Sequence, residues 1–307
     1  MRIFFILFFF LSACSSIKTP IRSSGIIIAH RGASAFLPEH TLEAYAYAHA
    51  HDVNFIEPDI VLTKDNVPIC LHDVTLETTT NVEEIFPKRK RADGHWYAID
   101  FNLAEIKKLS VHERTHQNRS IFPNRFPKGL SSFKVPTLME FIELIQGLNI
   151  STGKKIGIYP EIKKPEFHLR NGINSAPIIM KILKKYKYDN HHEKIFIQSF
   201  HPDTLKNLKT KMPLIQLIGE NDWGDSSTNF NRLKTNVGLK EIRTYAHGIG
   251  IWLDHIKQDP TLIKRAKSIG LEVHAFTHRP ERTKHSKNYY FRTLGLDGIF
   301  SDAPSLR

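Results

Sequence analysis

The chain has 307 residues and 41% of them are hydrophobic, which is enough for one large domain or two small ones with a substantial core. Lysine and arginine outnumber aspartate and glutamate by 43 to 31, and the formal net charge of +12 suits an anionic partner. The sequence contains no zinc finger, RNA-binding aromatic motif or long basic tract, so nucleic acid is not the expected partner.

The N-terminal segment is predicted to be a targeting signal rather than part of the fold. Met1-Arg2 supplies a short basic start, and the run from Ile3 to Leu11 is continuously apolar. This run is far shorter than the ~20 residues that span a bilayer. Residues 1–13 are therefore predicted to be a signal peptide, and residues 14–24 a polar tether ahead of the folded domain.

A cysteine follows the apolar run at the position where a signal peptide would end. Leu11-Ser12-Ala13-Cys14 resembles the bacterial lipoprotein box, and this resemblance implies cleavage before Cys14 and attachment of lipid to its sulfur. The expected protein is an exported bacterial lipoprotein, anchored in a membrane on the periplasmic side of the cell envelope. The alternative is an ordinary signal peptide followed by an incidental cysteine. The only other cysteine, Cys70, falls in an apolar run and is expected to be a small buried hydrophobe.

Short apolar runs alternate with helical patterns from Ile26 to the end of the chain. Eight strands are predicted: Ile26–Ala29, Asn54–Leu62, Lys155–Ile162, Lys194–Ser199, Leu214–Ile218, Gly248–Leu253, Leu271–Thr277 and Asp297–Ser301. Helices are predicted between them: Thr41–His51, Leu138–Leu148, Pro177–Tyr186, Pro202–Lys211, Leu239–Tyr245, Pro260–Ile269 and Arg282–Leu294. Repeated strand-then-helix units predict an α/β chain whose parallel sheet closes as a TIM (β/α)8 barrel.

One region interrupts this alternation. Residues 74–135, between the second strand unit and the next helix, are rich in Lys, Arg, His, Asn and Phe and have mixed periodicity. A stretch of this length is expected to be an insertion rather than a loop. No Gly/Ser linker separates it from its surroundings. Residues 25–307 are therefore expected to form one barrel domain that carries an insertion after the second strand unit.

Carboxylates are spaced along two predicted strands so that they can converge. Glu57 and Asp59 lie two residues apart on the second strand, and Glu161 lies on the third. Residues two apart on a strand share one face, and TIM-barrel active sites lie at the C-terminal ends of the strands. A cluster of three carboxylates without cysteine favours Mg²⁺ or Ca²⁺. The alternative for each carboxylate alone is a salt bridge at a strand end.

Groups suited to phosphate chemistry lie at the same strand ends. His30 and His72 can transfer protons near neutral pH. Arg31 and Lys163 can bind the non-bridging oxygens of a phosphate, although either could instead pair with the carboxylates. Each histidine alone could equally be a surface or core residue. Together with the carboxylates, this set predicts metal-assisted cleavage of a phosphate ester.

Five short motifs carry these residues in one order along the chain. They are His30-Arg31-Gly32-Ala33, Leu37-Pro38-Glu39-His40-Thr41, Glu57-x-Asp59, Leu71-His72-Asp73 and Pro160-Glu161-Ile162-Lys163. In this order and at this spacing they resemble the motifs of the glycerophosphodiester phosphodiesterase family, and most closely its secreted bacterial branch. The resemblance extends from about Ile26 to Pro304, and the family also has an insertion at the position of residues 74–135.

This resemblance implies a substrate, a metal and a reaction. The expected substrate is a glycerophosphodiester such as glycerophosphocholine or glycerophosphoethanolamine, hydrolysed to glycerol 3-phosphate and an alcohol through a cyclic glycerol phosphate. His30 and His72 are the expected acid and base, in an order that the sequence leaves open. The expected cofactor at Glu57, Asp59 and Glu161 is Ca²⁺, with Mg²⁺ as the alternative.

Residues at other predicted positions are further candidates. Gln198 and Trp252 lie at later strand ends and are predicted to bind substrate, and Trp223 could do the same, although core packing is an alternative for both tryptophans. Glu39 and His40 open a helix and are expected to support the site. The remaining histidines considered have no metal-like context and are expected to be solvated: His112, His116, His191 and His192.

Two other functions remain open at this point. A phospholipase of the C or D type would share the barrel and some of the histidine chemistry, but it would act on intact lipid. A surface lipoprotein that binds a ligand without catalysis would share the fold alone. The complete set of acid–base, metal and phosphate groups favours an enzyme over the binding protein.

Overall fold

The structure is a computed structural model that describes residues 25–304 except 52 and 118. The predicted signal peptide, Cys14 and the tether lie outside the described residues. Within the described part of the chain, no helix combines the length and the apolar character needed to cross a bilayer.

The described residues form an α/β fold in which strands and helices alternate. The strands are β1 (Ile26–His30), β2 (Phe55–Glu57), β3 (Asp59–Leu62), β4 (Pro68–Cys70), β5 (Thr115–His116), β6 (Arg119–Ser120), β7 (Gly157–Ile158), β8 (Glu161–Ile162), β9 (Ile197–Ser199), β10 (Leu214–Ile218), β11 (Gly248–Trp252), β12 (Glu272–His278) and β13 (Gly298–Ser301). The α-helices are α1 (Leu42–Ala50), α2 (Val82–Ile85), α3 (Leu103–Ile106), α4 (Leu138–Thr152), α5 (Pro165–Arg170), α6 (Ser175–Lys185), α7 (Pro202–Lys206), α8 (Phe230–Leu233), α9 (Asn236–Arg243), α10 (Leu253–Gln258), α11 (Leu262–Ser268) and α12 (Lys287–Arg292). Each predicted strand overlaps at least one observed strand.

Eleven of these strands form one curled, TIM-barrel-like sheet. The order across it is β4-β3-β8-β9-β10-β11-β12-β13-β1-β2-β7, and its pairs are parallel except for β3 with β4. β2 leads into β3 and β7 leads into β8, so the chain itself connects the two ends of this order. The other two strands, β5 and β6, form a separate antiparallel ribbon.

Two predicted strands are each divided by a proline. The predicted strand Asn54–Leu62 breaks at Pro58 into β2 and β3, and Lys155–Ile162 breaks before Pro160 into β7 and β8. Proline has no backbone N–H to donate to a neighbouring strand, so the ladder is interrupted at each position. Two carboxylates of the predicted metal cluster consequently flank the first break.

The last predicted helix, Arg282–Leu294, is shorter in the structure. α12 begins only at Lys287, and the backbone N–H groups of Arg282 and Thr283 instead donate to the carbonyl oxygen of Arg279 in a turn. The residues from 282 to 286 are Arg, Thr, Lys, His and Ser, and they offer no apolar stripe to bury. Because helical stability in proteins comes mainly from burying such a stripe, the helix does not extend over them.

Alternation along the strands separates the polar site from the core. Ile28 and His30 share one face of β1, and Phe55 and Glu57 share one face of β2. Ile28 and Phe55 belong to a buried cluster inside the sheet, together with Ile26, Tyr159, Ile215 and Phe300. The intervening residues contribute to the large core under the helices. His30 and Glu57 are thus placed next to a packed apolar interior.

Helix α1 is fixed in position at its start and along its buried face. The Thr41 hydroxyl accepts a hydrogen bond from the backbone N–H of Ala44, which caps the helix. Tyr45 packs edge-on against Phe141 of α4, with ring centroids 4.5 Å apart. This packing also fixes His40, which lies just before the helix.

Between β4 and α4, residues 71–137 build a unit with its own buried cluster. The unit contains α2, α3 and the β5–β6 ribbon. Trp96 and Phe101 pack in this cluster against Val61 and Ile69 of the sheet. Cys70 is buried where this unit begins, as the sequence predicted.

One histidine of this unit corrects the sequence prediction. His112, expected to be solvated, is buried, and its Nδ1 lies 2.8 Å from the carbonyl oxygen of Glu113. It is buried because the preceding Val111 bridges to Phe133 in the apolar cluster and holds the backbone there. His116 and His191 are exposed, as expected. The side chain of His192 lies outside the described part of the chain.

Glu113 is expected to make stability depend on pH. Burial and the negative charge of Glu39 raise its pKa to about 8, so between its ordinary pKa and pH 8 the folded state binds more protons than the unfolded state. Stability therefore falls as pH rises through this window. Glu113→Gln should raise Tm at pH 8.5 and change it little at pH 4.5.

Thermal unfolding of both proteins at several pH values checks this expectation. Glu83→Gln is the matched control, because Glu83 is exposed in the same unit. A Tm difference between Glu113→Gln and the parent that does not grow from pH 4.5 to pH 8.5 would contradict the assignment.

Candidate active site

One cavity of about 490 Å³ lies at the C-terminal ends of the parallel strands. The register of the sheet brings its polar lining together, since His30 is paired with Glu57 and Glu161 is paired with both Asp59 and Gln198. All nine residues that the sequence predicted for the site line this cavity: His30, Arg31, Glu57, Asp59, His72, Glu161, Lys163, Gln198 and Trp252.

The three predicted metal ligands form a tight buried cluster. Glu57, Asp59 and Glu161 each place a carboxylate oxygen within 4.8 Å of the other two, and at most 6% of each residue is exposed. Burial, and after it the charge of Asp59, raises the pKa of Glu57 well above its usual range. Burial likewise raises the pKa of Glu161. The cluster therefore concentrates negative charge that a cation would neutralise.

The donor set fits a hard divalent cation. Every candidate ligand is a carboxylate oxygen, as Ca²⁺ and Mg²⁺ prefer. Gln198 adds a second observation, because its Nε2 donates to Glu57 over 3.4 Å while its Oε1 is buried without a hydrogen-bond partner among the described residues. A buried amide oxygen beside three carboxylates is another oxygen donor that a cation of this kind accepts.

Arg31 is held in an unusual backbone conformation at the edge of the cluster. Its φ is +56° and that of Gly32 is +85°, where an added Cβ would approach the backbone of Ala44 to 2.9 Å. In this conformation the backbone N–H of Arg31 donates to Glu57 over 2.8 Å. The guanidinium faces Glu39 at 3.1 Å and Asp59 at 3.3 Å. The Arg31 side chain is thus both paired with carboxylates and exposed to the cavity.

Lys163 places a buried positive charge next to Glu161. Its Nζ lies 3.0 Å from Glu161 and 3.7 Å from Asp225, and only 1% of the side chain is exposed. Although burial lowers the pKa of Lys163, the charge of Glu161 and then that of Asp225 raise it above the usual value. The ammonium stays charged and can face an anion in the cavity.

Each predicted catalytic histidine is paired with its own carboxylate. His30 Nδ1 lies 2.6 Å from Asp302, and His72 Nδ1 lies 2.6 Å from Asp73. A carboxylate at Nδ1 favours the tautomer with the proton on that nitrogen, so Nε2 can accept a proton. Nε2 of His72 accepts a hydrogen bond from Lys163 over 3.3 Å.

The environment keeps both histidines neutral at pH 7 in the substrate-free site. Burial, and then the positive charge of Arg31, lowers the pKa of His30 to about 4 and that of His72 to about 4. A neutral imidazole is the form that accepts a proton. The negative charge of a bound phosphate would favour the protonated form that donates one.

The carboxylates that orient the histidines are themselves held by two arginines of the 71–137 unit. Arg114 pairs with Asp73 at 2.6 Å and with Glu39 at 2.6 Å. Arg125 pairs with Asp302 at 2.7 Å. Both arginines are largely buried, so these charge-assisted hydrogen bonds are poorly screened by solvent.

Four of these supporting residues were missed from the sequence. Asp73 stands inside the Leu71-His72-Asp73 motif, and Asp302 directly follows the last predicted strand, so both lay at positions that could have been flagged. Arg114 and Arg125 lie in a segment without regular periodicity, and no local signal indicated that they face the sheet.

Glu39 and His40 support the site, as the sequence predicted. His40 Nε2 lies 2.9 Å from Asp59, and its Nδ1 lies 2.8 Å from the Tyr45 hydroxyl. Glu39 joins Arg31 and Arg114, and the two arginines hold the pKa of its carboxyl well below the usual range despite burial. These residues fix the Asp59 and Arg31 side chains.

An aromatic wall closes one side of the cavity. Trp252 and Trp223 contact each other edge-on, with ring centroids 5.2 Å apart, and Phe200 and Phe276 stand beside them. Lys163 lies over the ring of Phe200 at 5.4 Å. The cavity therefore combines charged residues at the strand ends with an apolar side that suits the carbon skeleton of a small polar substrate.

Loss of the two ion pairs that Arg114 makes with Asp73 and Glu39 is expected to lower activity without unfolding the protein. Arg114→Gln leaves Asp73 and Glu39 without their shared partner, and kcat should fall by about 10–100-fold, as for other residues that orient catalytic groups. Because Arg114 lowers the pKa of Asp73, its loss should raise that pKa. The acidic limb of the kcat–pH profile should therefore shift to higher pH. Lysine cannot replace a guanidinium that serves two carboxylates, so Arg114→Lys should recover little.

Steady-state kinetics over a pH series measure these effects. Arg119→Gln is the matched control, since Arg119 is exposed in the same unit. An unchanged kcat and pH profile in Arg114→Gln would show that the two ion pairs are dispensable.

Comparisons with known proteins identify the family of this chain. The family model described as the glycerophosphoryl diester phosphodiesterase family matches residues 30–306. A glycerophosphodiester phosphodiesterase of Haemophilus influenzae is 38% identical, with 96% of this chain and 93% of the relative covered. One of Treponema pallidum is 31% identical, with 92% and 91% covered.

Solved structures show the same fold. A phosphodiesterase of Oleispira antarctica, solved in complex with the product sn-glycerol-3-phosphate, matches with a TM-score of 0.63 and 22% identity, covering 91% of this chain and 94% of that one. A protein of Silicibacter pomeroyi described as a glycerophosphoryl diester phosphodiesterase matches with a TM-score of 0.69 and 22% identity, covering 92% and 91%. The chain belongs to the glycerophosphoryl diester phosphodiesterase family.

Proposed function

We propose that this chain hydrolyses glycerophosphodiesters to glycerol 3-phosphate and an alcohol. The observation that carries the proposal is one cavity in which two carboxylate-paired histidines, the cations Arg31 and Lys163, and a three-carboxylate cluster meet. Family membership supports the same reaction. The structure of the Oleispira relative with bound product gives the reaction a precedent in a protein of this fold.

The two histidines perform the proton transfers. One takes the proton from the glycerol hydroxyl next to the phosphate, and the freed oxygen attacks phosphorus. The other donates a proton to the leaving alcohol as its bond to phosphorus breaks. Water then opens the cyclic phosphate while the histidines exchange roles, which yields glycerol 3-phosphate and restores both protonation states. Asp302 and Asp73 keep the rings oriented through both steps.

The cations and the carboxylates stabilise charge during this reaction. Arg31 and Lys163 face the non-bridging phosphate oxygens and offset the charge that grows on them in the transition state. Glu57, Asp59 and Glu161 would hold a divalent cation, Ca²⁺ first and Mg²⁺ as the alternative. Such an ion supplies Lewis-acid stabilisation of negative charge on oxygen when it is bound. Gln198 and Trp252 complete the substrate side of the cavity.

The fold proposal goes one step beyond the curled sheet. We take β2 with β3, and β7 with β8, as single barrel strands broken by proline, so that the sheet is a closed (β/α)8 barrel. Residues 71–137 are then the insertion, slightly longer than the predicted 74–135, and residues 25–307 are one domain. Support comes from the pairings of β2 with β7 and of β3 with β8.

Release of glycerol 3-phosphate tests the function. The full chain is incubated with glycerophosphocholine and Ca²⁺ or Mg²⁺, and with intact phosphatidylcholine in parallel. Turnover of the water-soluble diester, with little turnover of the lipid, is the expected result. Preferential cleavage of the intact lipid would instead indicate a phospholipase. No cleavage of either by protein saturated with metal would favour a binding protein.

The location proposal rests on the N-terminal sequence. We propose that residues 1–13 are removed and that lipid on Cys14 anchors an exported protein to the envelope membrane, with residues 14–24 as the tether. Cys14→Ser should yield soluble protein or uncleaved precursor in cell fractionation. Ala13→Ser, which keeps the cysteine and a small neighbour, is the control. Processed, membrane-bound Cys14→Ser protein would overturn the proposal.

A further inference from the structure

A second cavity adjoins the first at the histidine pair. Its volume is about 220 Å³, and it shares His30, Arg31, His72 and Arg279 with the lining of the larger cavity. A phosphate held by these shared residues borders both cavities. A phosphodiester has two arms, so each cavity can receive one of them.

The two cavities differ in charge. Five arginines line the smaller cavity against two carboxylates, Glu39 and Asp302: they are Arg31, Arg114, Arg125, Arg279 and Arg282. Five carboxylates line the larger cavity against four cations: they are Glu57, Asp59, Asp73, Glu161 and Asp225. An anionic arm is therefore favoured in the smaller cavity, where arginines outnumber carboxylates by five to two.

Two of the five arginines have less than one carboxylate each to neutralise them, so they can bind a ligand anion. Arg31, Arg114 and Arg125 each contact two carboxylates, including Asp73 and Glu281 at the periphery. Among the described residues, Arg279 pairs with Asp302 alone, at 3.2 Å, and shares it with Arg125. Arg282 is exposed and makes no ion pair among the described residues. Burial and the neighbouring arginines lower the pKa of Arg279, as expected where positive charge is in excess.

The aromatic ring in the smaller cavity already faces cations. Phe122 has the guanidinium of Arg125 at 3.6 Å from its centroid, that of Arg282 at 5.3 Å and that of Arg279 at 6.0 Å. A quaternary ammonium binds in proteins by lying over such a ring. Here it would compete with three guanidinium groups and meet their repulsion.

We infer that the smaller cavity binds the leaving alcohol and selects one that carries negative charge, such as a glycerol bearing a second phosphodiester, over a cationic one such as choline. This inference rests on the proposed function. The glycerol arm that supplies the attacking hydroxyl is neutral and lies in the larger cavity, where carboxylates and the Gln198 amide can bind its hydroxyls. Arg279 and Arg282 then determine specificity for the other arm.

Competing substrates test this selection. Steady-state kcat/KM of the full chain with divalent metal is measured for glycerophosphocholine, glycerophosphoglycerol and bis(glycerophospho)glycerol at low and at 0.5 M salt. We expect bis(glycerophospho)glycerol, whose leaving alcohol is anionic, to be preferred at low salt. The preference should shrink at high salt, where charges more than a few ångströms apart are screened. Arg282→Gln should lower kcat/KM for bis(glycerophospho)glycerol by about two- to fivefold, the size of one exposed charge contact. It should raise kcat/KM for glycerophosphocholine modestly, because it removes one of the guanidinium groups that repel choline.

A matched variant and a charge reversal make the result decisive. Arg292→Gln alters an exposed arginine of α12 that lines neither cavity, and it should change none of the three substrates. Arg282→Glu should reverse the preference toward glycerophosphocholine. If all three substrates are hydrolysed but choline is preferred at low salt, or Arg282→Gln affects them equally, the inference fails and the proposed function stands. If none is hydrolysed, the proposed function itself fails.

Discussion

Replacing either histidine of the pair with alanine should lower kcat for glycerophosphocholine by roughly 10²–10⁴-fold, the usual contribution of a positioned acid or base. His30 and His72 are both held at Nδ1 by a carboxylate 2.6 Å away and face the same cavity. The substitutions remove the proton-transfer groups and leave the metal cluster in place. KM should therefore change much less than kcat.

The double variant and a changed leaving group separate the two roles. Because residues that act as a unit are strongly non-additive, the double alanine variant should be little slower than the slower single variant. A glycerophospho-nitrophenol ester has a leaving group that needs no proton donor. It should restore activity only to the variant that lacks the general acid, and so assign the roles of His30 and His72.

Steady-state kinetics and circular dichroism of the four proteins measure these effects. His116→Ala is the control, because His116 is exposed and lies outside the cavity. Near-parental turnover by both single variants would show that the pair is structural. A double variant slower by the product of the single effects would show that the two histidines act independently.

The parts of this site that sequence could predict lie at strand ends. A strand places alternate side chains on one face, and the C-terminal ends of parallel strands meet at one edge. Glu57, Asp59 and Glu161 follow from these two rules and from the preference of hard cations for oxygen. The structure brings them within 4.8 Å of one another, so local pattern and fold class were enough to place them together.

The supporting residues could not be placed in the same way. Asp302 reaches His30 across 272 residues of sequence, and Arg125 reaches Asp302 from a unit whose fold no periodicity indicates. Such contacts depend on how the 71–137 unit docks on the sheet, and docking is set by packing of irregular segments rather than by a repeat. The burial of His112 escaped prediction for the same reason.

Hydrophobic periodicity also did not predict the breaks within two of the strands. Pro58 and Pro160 lie in apolar runs that otherwise have the composition of continuous strands, and the sequence alone does not say how the ladder accommodates them. In the structure the chain resumes pairing directly after each proline. The break at Pro58 leaves Glu57 and Asp59 both facing the cavity, so it belongs to the geometry of the site rather than to its surroundings.

Removing one carboxylate of the cluster should weaken the stabilisation that a divalent metal confers on the folded protein. Ligand that binds only the folded state raises the free energy of unfolding by about 2.7 kcal/mol at one hundred times its Kd. Added Ca²⁺ or Mg²⁺ should therefore raise the Tm of the parent protein. In Glu161→Gln the affinity for metal should fall by about an order of magnitude or more, and the Tm gain should fall with it.

In the metal-free protein, Glu161→Gln should change Tm in the opposite direction, and this difference distinguishes a metal ligand from a structural residue. Burial raises the pKa of Glu161 well above its usual range, and the charges of Asp59 and Asp225 add to this rise although Lys163 opposes it, so the ionised carboxylate is unfavourable in the folded protein without a cation. Metal-stripped Glu161→Gln should thus unfold at the same or a higher temperature than the metal-stripped parent, while its kcat with metal is much lower. Glu193→Gln, which alters an exposed carboxylate, should match the parent in both states.

Full turnover by the chelator-treated parent, with no metal-dependent change in Tm, would show that the cluster is not a metal site. A residue that merely held the fold together could not give higher metal-free stability and lower activity at once, so the two measurements together separate a ligand from a structural carboxylate.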